Sequence, residues 1–107
     1  MNKKTVHLPQ WHPQKSTLKK INDENFKVRY KALRNSSSGF IKREDVRGFV
    51  FGRDHYQCVQ CGSREDLQVD HIISVYKISK EKLNYKITNC SSNLQTLCGK
   101  CNYSKLP

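Results

Sequence analysis

Residues 58–72 read CVQCGSREDLQVDHI, with Cys58 and Cys61 at knuckle spacing and the dipeptide Asp70-His71 beginning nine residues after Cys61. All four side chains are metal-ligand types, two of them soft thiolates and two harder oxygen and nitrogen donors. They can serve one metal site, two sites, or a zinc knuckle beside an unrelated dipeptide. Cys98-Gly-Lys-Cys101 repeats the knuckle spacing. Two residues between cysteines let both sulfurs face one ion, with backbone amides turned toward the thiolates, and two such pairs complete a tetrahedral site. Zinc is the expected ion and its role structural, because four sulfurs leave no open position for water. Simple zinc ribbons separate their pairs by about 15–20 residues, whereas 36 residues lie between Cys61 and Cys98. The metal therefore staples the base of a larger loop, which carries Asp70, His71 and Asn93. Cys90 is left over, expected as a small buried hydrophobe or a free thiol.

A lone Asp-His pair says little, but its company is specific. Asn93 shortly precedes the second knuckle, Asn102 directly follows Cys101, and Lys105 comes one helical turn later. The run RDHYQCVQCG … LQVDHI … SNLQTLCGKCNYSK, from about Arg53 to Lys105, resembles the HNH endonuclease family in its zinc-stapled form. The first 50 residues are not covered by the resemblance. The resemblance implies a small α+β fold built on the ββα-metal (His-Me finger) motif, two antiparallel strands and a helix around one catalytic divalent ion. It implies an endonuclease that hydrolyses DNA phosphodiester bonds and leaves 5′-phosphate and 3′-hydroxyl ends. By the same resemblance His71 is the general base, Asp70 and Asn102 are the ligands of the catalytic ion, and Asn93 ties the intervening loop and helps to hold the base. Cys58, Cys61, Cys98 and Cys101 correspond to the structural zinc site. The family's last ligand is often His, and Asn102 in its place shifts the site toward an oxygen-preferring ion.

Elementary chemistry supports these roles independently. Hydrolysis of a phosphodiester needs a deprotonated water in line with the leaving oxygen, and a cation for the charge that develops on the phosphate. Neutral histidine, with an ordinary pKa of about 6.5, suits proton abstraction near neutrality. A carboxylate plus an amide oxygen is a hard, sparse ligand set that favours Mg²⁺ or Mn²⁺. One geometric demand follows. Neighbours on a regular strand point to opposite faces, yet Asp70 and His71 must serve one phosphate, so the strand is expected to end, bulge or twist sharply there.

The elements that must position these groups can be sketched from pattern. Residues 1–13, with two of the three prolines, read as a loosely ordered extended arm. A basic helix is expected over Ser16–Leu33, either a solvated surface helix or a contact to the DNA backbone, followed by NSSSG as a linker over residues 35–39. A short helix over about Arg43–Phe51 would bury Val46, Phe49 and Val50, with Gly52 at its end. HYQC and LQVDHI read as two short strands around the first knuckle. A long connection, an apolar turn before the second knuckle and a terminal helical piece complete the chain. The expected organisation is a basic arm, helix and linker over residues 1–39 and a nuclease domain over residues 40–107.

Charge points to the partner. The formal net charge is +11, and residues 1–47 hold 12 Lys/Arg against 4 Asp/Glu. Such a chain attracts polyanions through counterion release, which makes DNA the leading partner. A membrane surface is the rival, but no long apolar run, lipidation signal or signal peptide is visible, and paired cysteines suit a reducing cytoplasm. Arg53, Lys100 and Lys105 are candidates for phosphate contacts, Arg53 equally for a structural bridge. Such charge gives affinity without sequence preference. One HNH site cuts one strand, so duplex cleavage calls for a homodimer, a second event, or a partner nuclease or terminase. Small stand-alone proteins of this type are common in bacteriophages and mobile elements. The competing readings are a non-catalytic zinc-ribbon nucleic-acid binder and a nuclease toxin with an immunity partner.

Overall fold

Four polar residues, Asn22-Asp23-Glu24-Asn25, decide how the N-terminal segment folds. Asn22 Nδ2 donates back to the Leu18 carbonyl, Asp23 Oδ1 accepts from the Asn25 amide, and Asn25 Oδ1 accepts from the Lys27 amide. Such local bonds compete with helix propagation and favour caps. In place of one helix over Ser16–Leu33 there are two, α1 (Lys15–Ile21) and α2 (Phe26–Ile41). The structure, a computed structural model, describes residues 7–105.

Helix α2 runs straight through NSSSG, so residues 35–39 are not a linker and the helix crosses the boundary expected at residue 39. Serine and glycine are indifferent helix formers. What holds the helix is its inward stripe of Arg29, Leu33, Ser37 and Phe40, all buried. Among the described residues Arg29 has no acidic partner. Its guanidinium donates to the carbonyls of Asp23, Glu24 and Ser79, satisfying backbone left open where α1 ends and where the loop helix meets α2.

Helix α3 (Glu44–Arg53) starts with two acidic residues in its first turn, which suit the positive end of the helix dipole, and buries Val46, Val50 and Phe51. Beyond it the backbone at His55 and Tyr56 is left-handed, with φ of 60° and 53°. No strand tolerates that, so HYQC is a turn. The second strand instead comes from LQTLC. β1 (Leu67–His71) and β2 (Leu94–Cys98) pair antiparallel in a register that sets Leu67 opposite Cys98 and His71 opposite Leu94. Between them lie the short helix α4 (Val75–Lys80) and two single 3₁₀ turns, Tyr85–Ile87 and Ser91–Asn93. The chain closes with α5 (Gly99–Ser104) directly after β2.

Two small apolar cores hold these pieces. One gathers Phe40, Val46, Val50, Phe51, Val69 and Leu94 between α2, α3 and the sheet; the other gathers Ile21, Leu33 and Ile78 between α1, α2 and α4. Trp11 packs against both, and its indole N–H donates to Ser36 Oγ at 3.1 Å. Through Leu8 and Trp11 this part of the arm is packed rather than loose, while the expectation for residues 1–6 lies outside the described residues.

Asp54, the C-cap of α3, locks that helix to the sheet. Its carboxylate receives Arg53 and, at 2.9 Å, the Thr96 amide of β2. Burial alone would raise its pKa, but the Arg53 and Thr96 hydrogen bonds outweigh it and hold the carboxyl below 3.8. Because the folded value lies under the unfolded one, the stabilisation is complete above pH 3.8 and lost as pH falls through the folded value. We expect Asp54→Ala to reduce unfolding free energy by about 1–3 kcal/mol near neutral pH. Asp54→Asn should flatten the acid limb of stability below about pH 4, and denaturant titrations across pH check both outcomes.

Candidate active site and metal centre

The sulfur cluster forms because two tight turns are docked on the end of the sheet. At the first knuckle the Cys58 amide donates to Ser63, the Gly62 amide donates to Cys58, and Gly62 takes a φ of 79°, which glycine alone adopts freely. The Val59 amide donates to Thr96 and so fixes this turn beside β2. At the second knuckle Cys98 caps α5, its sulfur accepting from the Cys101 amide. The four Sγ atoms lie within 4.8 Å of one another, and those of Cys61 and Cys98 are 3.6 Å apart. A zinc tetrahedron with Zn–S of about 2.3 Å has sulfur–sulfur edges of about 3.8 Å. The cluster fits that ion. Burial pushes the Cys58 thiol up, but amide donors of Cys98, Cys61 and Gln60 more than offset it and bring it down to about 6. Its neighbour Cys101 is pushed up to about 12, first by its bond to Cys98. One thiolate among close sulfurs suppresses the next, and a dication relieves that repulsion. Leu97 and Leu67 pack around the sulfurs, which gives this end of the molecule a third small core.

Asp70 and His71 occupy the last two positions of β1, and the strand ends at His71. The pairing stays regular to that point, so termination rather than a bulge frees the two side chains. Asp70 is 8 % exposed, and its Oδ2 accepts from Gln95 Nε2 at 2.9 Å and from Lys105 Nζ at 2.8 Å. His71 turns its Nε2 toward Asn89 and Ser37, at 2.8 Å from each. Burial holds its pKa below 6.5; the Asn89 bond and the Asp70 carboxylate pull the other way, and Lys105 adds to the depression.

Asn93 is buried and ties the loop that follows His71. Its Oδ1 accepts from the Ile73 amide at 2.7 Å, its Nδ2 donates to the carbonyls of Ile73 and Thr88, and its own carbonyl accepts from the Ile72 amide. Asn102, in α5, donates from Nδ2 to Gln68 Oε1 at 2.7 Å, which leaves its Oδ1 as the acceptor to offer. Asp70, His71, Asn102 and Lys105 all line one open cleft of about 330 Å³, walled by Tyr30, Ile41, Val75 and Tyr76. A carboxylate and an amide oxygen in one cleft are the donor chemistry of Mg²⁺ or Mn²⁺.

The basic candidates divide. Lys105 points into the cleft, donating to Asp70 and to the carbonyls of His71 and Ile72. Lys100 is exposed on α5. Arg53 is a brace: its guanidinium donates to Asp54 and to the carbonyls of Ser91 and Leu94. Cys90 is exposed, its thiol donating to the Lys86 carbonyl. Four residues at the site escape a reading of the sequence: Gln68 and Gln95, which orient Asn102 and Asp70, and Ser37 and Asn89, which hold His71. Gln68 and Gln95 sit on the paired strands and were findable only with the register in hand.

Because the sulfur cluster is the centre of the small core at its end of the molecule, we expect purified protein to hold about one equivalent of zinc. Chelation, or Cys98→Ser, should lose tertiary structure in a near-ultraviolet circular dichroism melt rather than turnover alone. Native-like melting of metal-free protein would oppose a structural role.

Comparison with known proteins agrees with this geometry. The family model described as HNH endonuclease matches residues 58–106, which span both knuckles, both strands and α5. No curated protein and no solved structure matches the chain. Among the described residues no helix is long and apolar enough to cross a membrane. With four clustered cysteines, a two-stranded sheet and a following helix in the matched segment, residues 58–106 of this chain are similar to the HNH endonuclease family.

Proposed function

We propose that the chain is a DNA endonuclease in which His71 activates water and one divalent ion, Mg²⁺ or Mn²⁺, is held by Asp70 and Asn102. The observation that carries this reading is the shared cleft: Asp70 and His71 from the end of β1 meet Asn102 and Lys105 from the end of the chain in one open space. When bound, the ion supplies Lewis-acid stabilisation of charge on the phosphate and on the departing oxygen. His71 takes a proton from the water whose oxygen attacks phosphorus; the bond to the 3′ oxygen breaks, that oxygen leaves with the electron pair and takes a proton from solvent, and the ends are 5′-phosphate and 3′-hydroxyl. Depression of the His71 pKa by burial keeps the imidazole neutral and ready to accept that proton. Asn93 holds the turn after His71, so the base cannot swing away with its loop. Zinc in the four-cysteine cluster is structural and takes no part in the chemistry.

DNA is the substrate that the charge favours. Lys19, Lys20, Lys27, Lys31 and Arg34 are exposed along α1 and α2 and extend the positive surface beyond the matched segment. Lys100 adds an exposed cation on α5, and Lys105 lies within hydrogen-bond reach of Asp70 in the cleft. A single site of this kind cuts one strand, and cleavage of both calls for a second copy or a partner nuclease.

Supercoiled plasmid incubated with zinc-loaded protein and Mg²⁺ or Mn²⁺ should be nicked or linearised. His71→Ala should reduce the rate by about 10²-fold or more while DNA binding persists. Binding by the parent protein without cleavage under either ion would refute the nuclease reading and leave a zinc-ribbon nucleic-acid binder.

A further inference from the structure

The imidazole of His71 is gripped by two side chains, Asn89 and Ser37, that are not among the residues assigned to the catalytic site from the sequence. Asn89 Oδ1 lies 2.8 Å from Nε2, Ser37 Oγ also lies 2.8 Å from Nε2, and Ser37 Oγ donates to Asn89 Oδ1 at 3.0 Å. Ser37 is fully buried and Asn89 is 5 % exposed, so water does not compete for these bonds. An amide oxygen offers only lone pairs. The proton in the contact between His71 and Asn89 must therefore sit on Nε2. The single hydroxyl hydrogen of Ser37 is directed at the same oxygen, which leaves Ser37 Oγ able to accept from Nε2–H as well. A neutral imidazole that carries its proton on Nε2 keeps its lone pair on Nδ1. Among the described residues, nothing hydrogen-bonds to Nδ1.

We propose that Asn89, braced by Ser37, is a positioning pair that fixes His71 as the Nε2–H tautomer and thereby makes Nδ1 the proton acceptor. This rests on the reading of His71 as the general base. Asn93 does not perform this task, because its side chain reaches only backbone groups of Ile73 and Thr88. Ser37 belongs to α2, outside the matched segment, so this helix is a working part of the site and not only an attachment. Asn89 Nδ2 is buried without a partner among the described residues. An amide that accepts twice through oxygen and leaves its nitrogen idle is placed for its oxygen.

The proposal predicts an unusual order among substitutions. Asn89→Leu removes the acceptor and frees the Ser37 hydroxyl to donate to Nε2, which drives the ring toward the Nδ1–H tautomer. Asn89→Asp keeps the acceptor and deletes the idle nitrogen, so it should restore the Nε2–H tautomer and most of the turnover that Asn89→Leu loses. The primary readout is the tautomer of His71 at pH 8, read from ¹⁵N chemical shifts of the two ring nitrogens in zinc-loaded protein. We expect Nε2–H in the parent and in Asn89→Asp, and Nδ1–H or a mixture in Asn89→Leu. Nicking kinetics should show kcat for Asn89→Leu falling about 10–100-fold with KM for DNA changed less than about twofold. Adding Ser37→Ala to Asn89→Leu should shift the ring back toward Nε2–H. An unchanged tautomer in Asn89→Leu, or an Asn89→Asp variant that behaves like Asn89→Leu, overturns the proposal. The spectrum reports on the tautomer whether or not the protein cuts DNA, so failure of the nuclease reading and failure of this pair are distinguishable.

Discussion

The register of β1 on β2 is the constraint on which the rest of the site depends. Pairing Leu67 with Cys98 puts Asp70 opposite Gln95 and ends the ladder at His71 against Leu94. It also starts α5 beside the first residue of β1, so that Asn102, one turn in, reaches Gln68. A slip of one residue would turn every β1 side chain to the other face and part Asp70 from Gln95. A sheet of only two strands is marginal by itself. The register is pinned from both ends instead, by the sulfur cluster at Cys98 and by the bonds of Asn93 to Ile72 and Ile73 beyond His71.

Around that ladder, polar side chains replace the apolar mass that a chain of 107 residues cannot provide. Asp54 ties α3 to Thr96, Arg53 ties the same helix to Ser91 and Leu94, and Arg29 gathers three carbonyls where α1, α2 and α4 meet. Each tie satisfies backbone groups that would otherwise be buried without partners. The same economy makes the site sensitive to remote changes, since the helix that carries Ser37 is held by contacts with α1, α4 and the sheet.

Much of this could be read from the chain, and the failures have physical causes. Both cysteine pairs, the strand at LQVDH and the final helix follow from spacing and pattern, and the motif residues Asp70, His71 and Asn102 do line one cleft. NSSSG reads as a linker because propensity describes the isolated chain; Leu33 and Phe40 on either side bury a stripe that carries Ser37 inward regardless. HYQC reads as a strand because nothing in His55 or Tyr56 announces positive φ. LQTLC reads as a turn because it abuts a knuckle, yet its buried Leu94, Thr96, Leu97 and Cys98 belong to the second strand. The hold of Asn89 and Ser37 on His71 spans separations of 18 and 34 residues, and no local pattern encodes such a contact.

The account stands on Asp70 and Asn102 acting together as a hard-cation site while the sulfurs keep them in place. Titration of Mn²⁺ into zinc-loaded protein, followed by the loss of the free-ion electron paramagnetic resonance signal, measures this directly. One site should be seen in the parent and in His71→Ala, and it should weaken at least about tenfold in both Asp70→Ala and Asn102→Ala. Mn²⁺ binding that is absent from the parent, or that ignores both substitutions, would contradict the account.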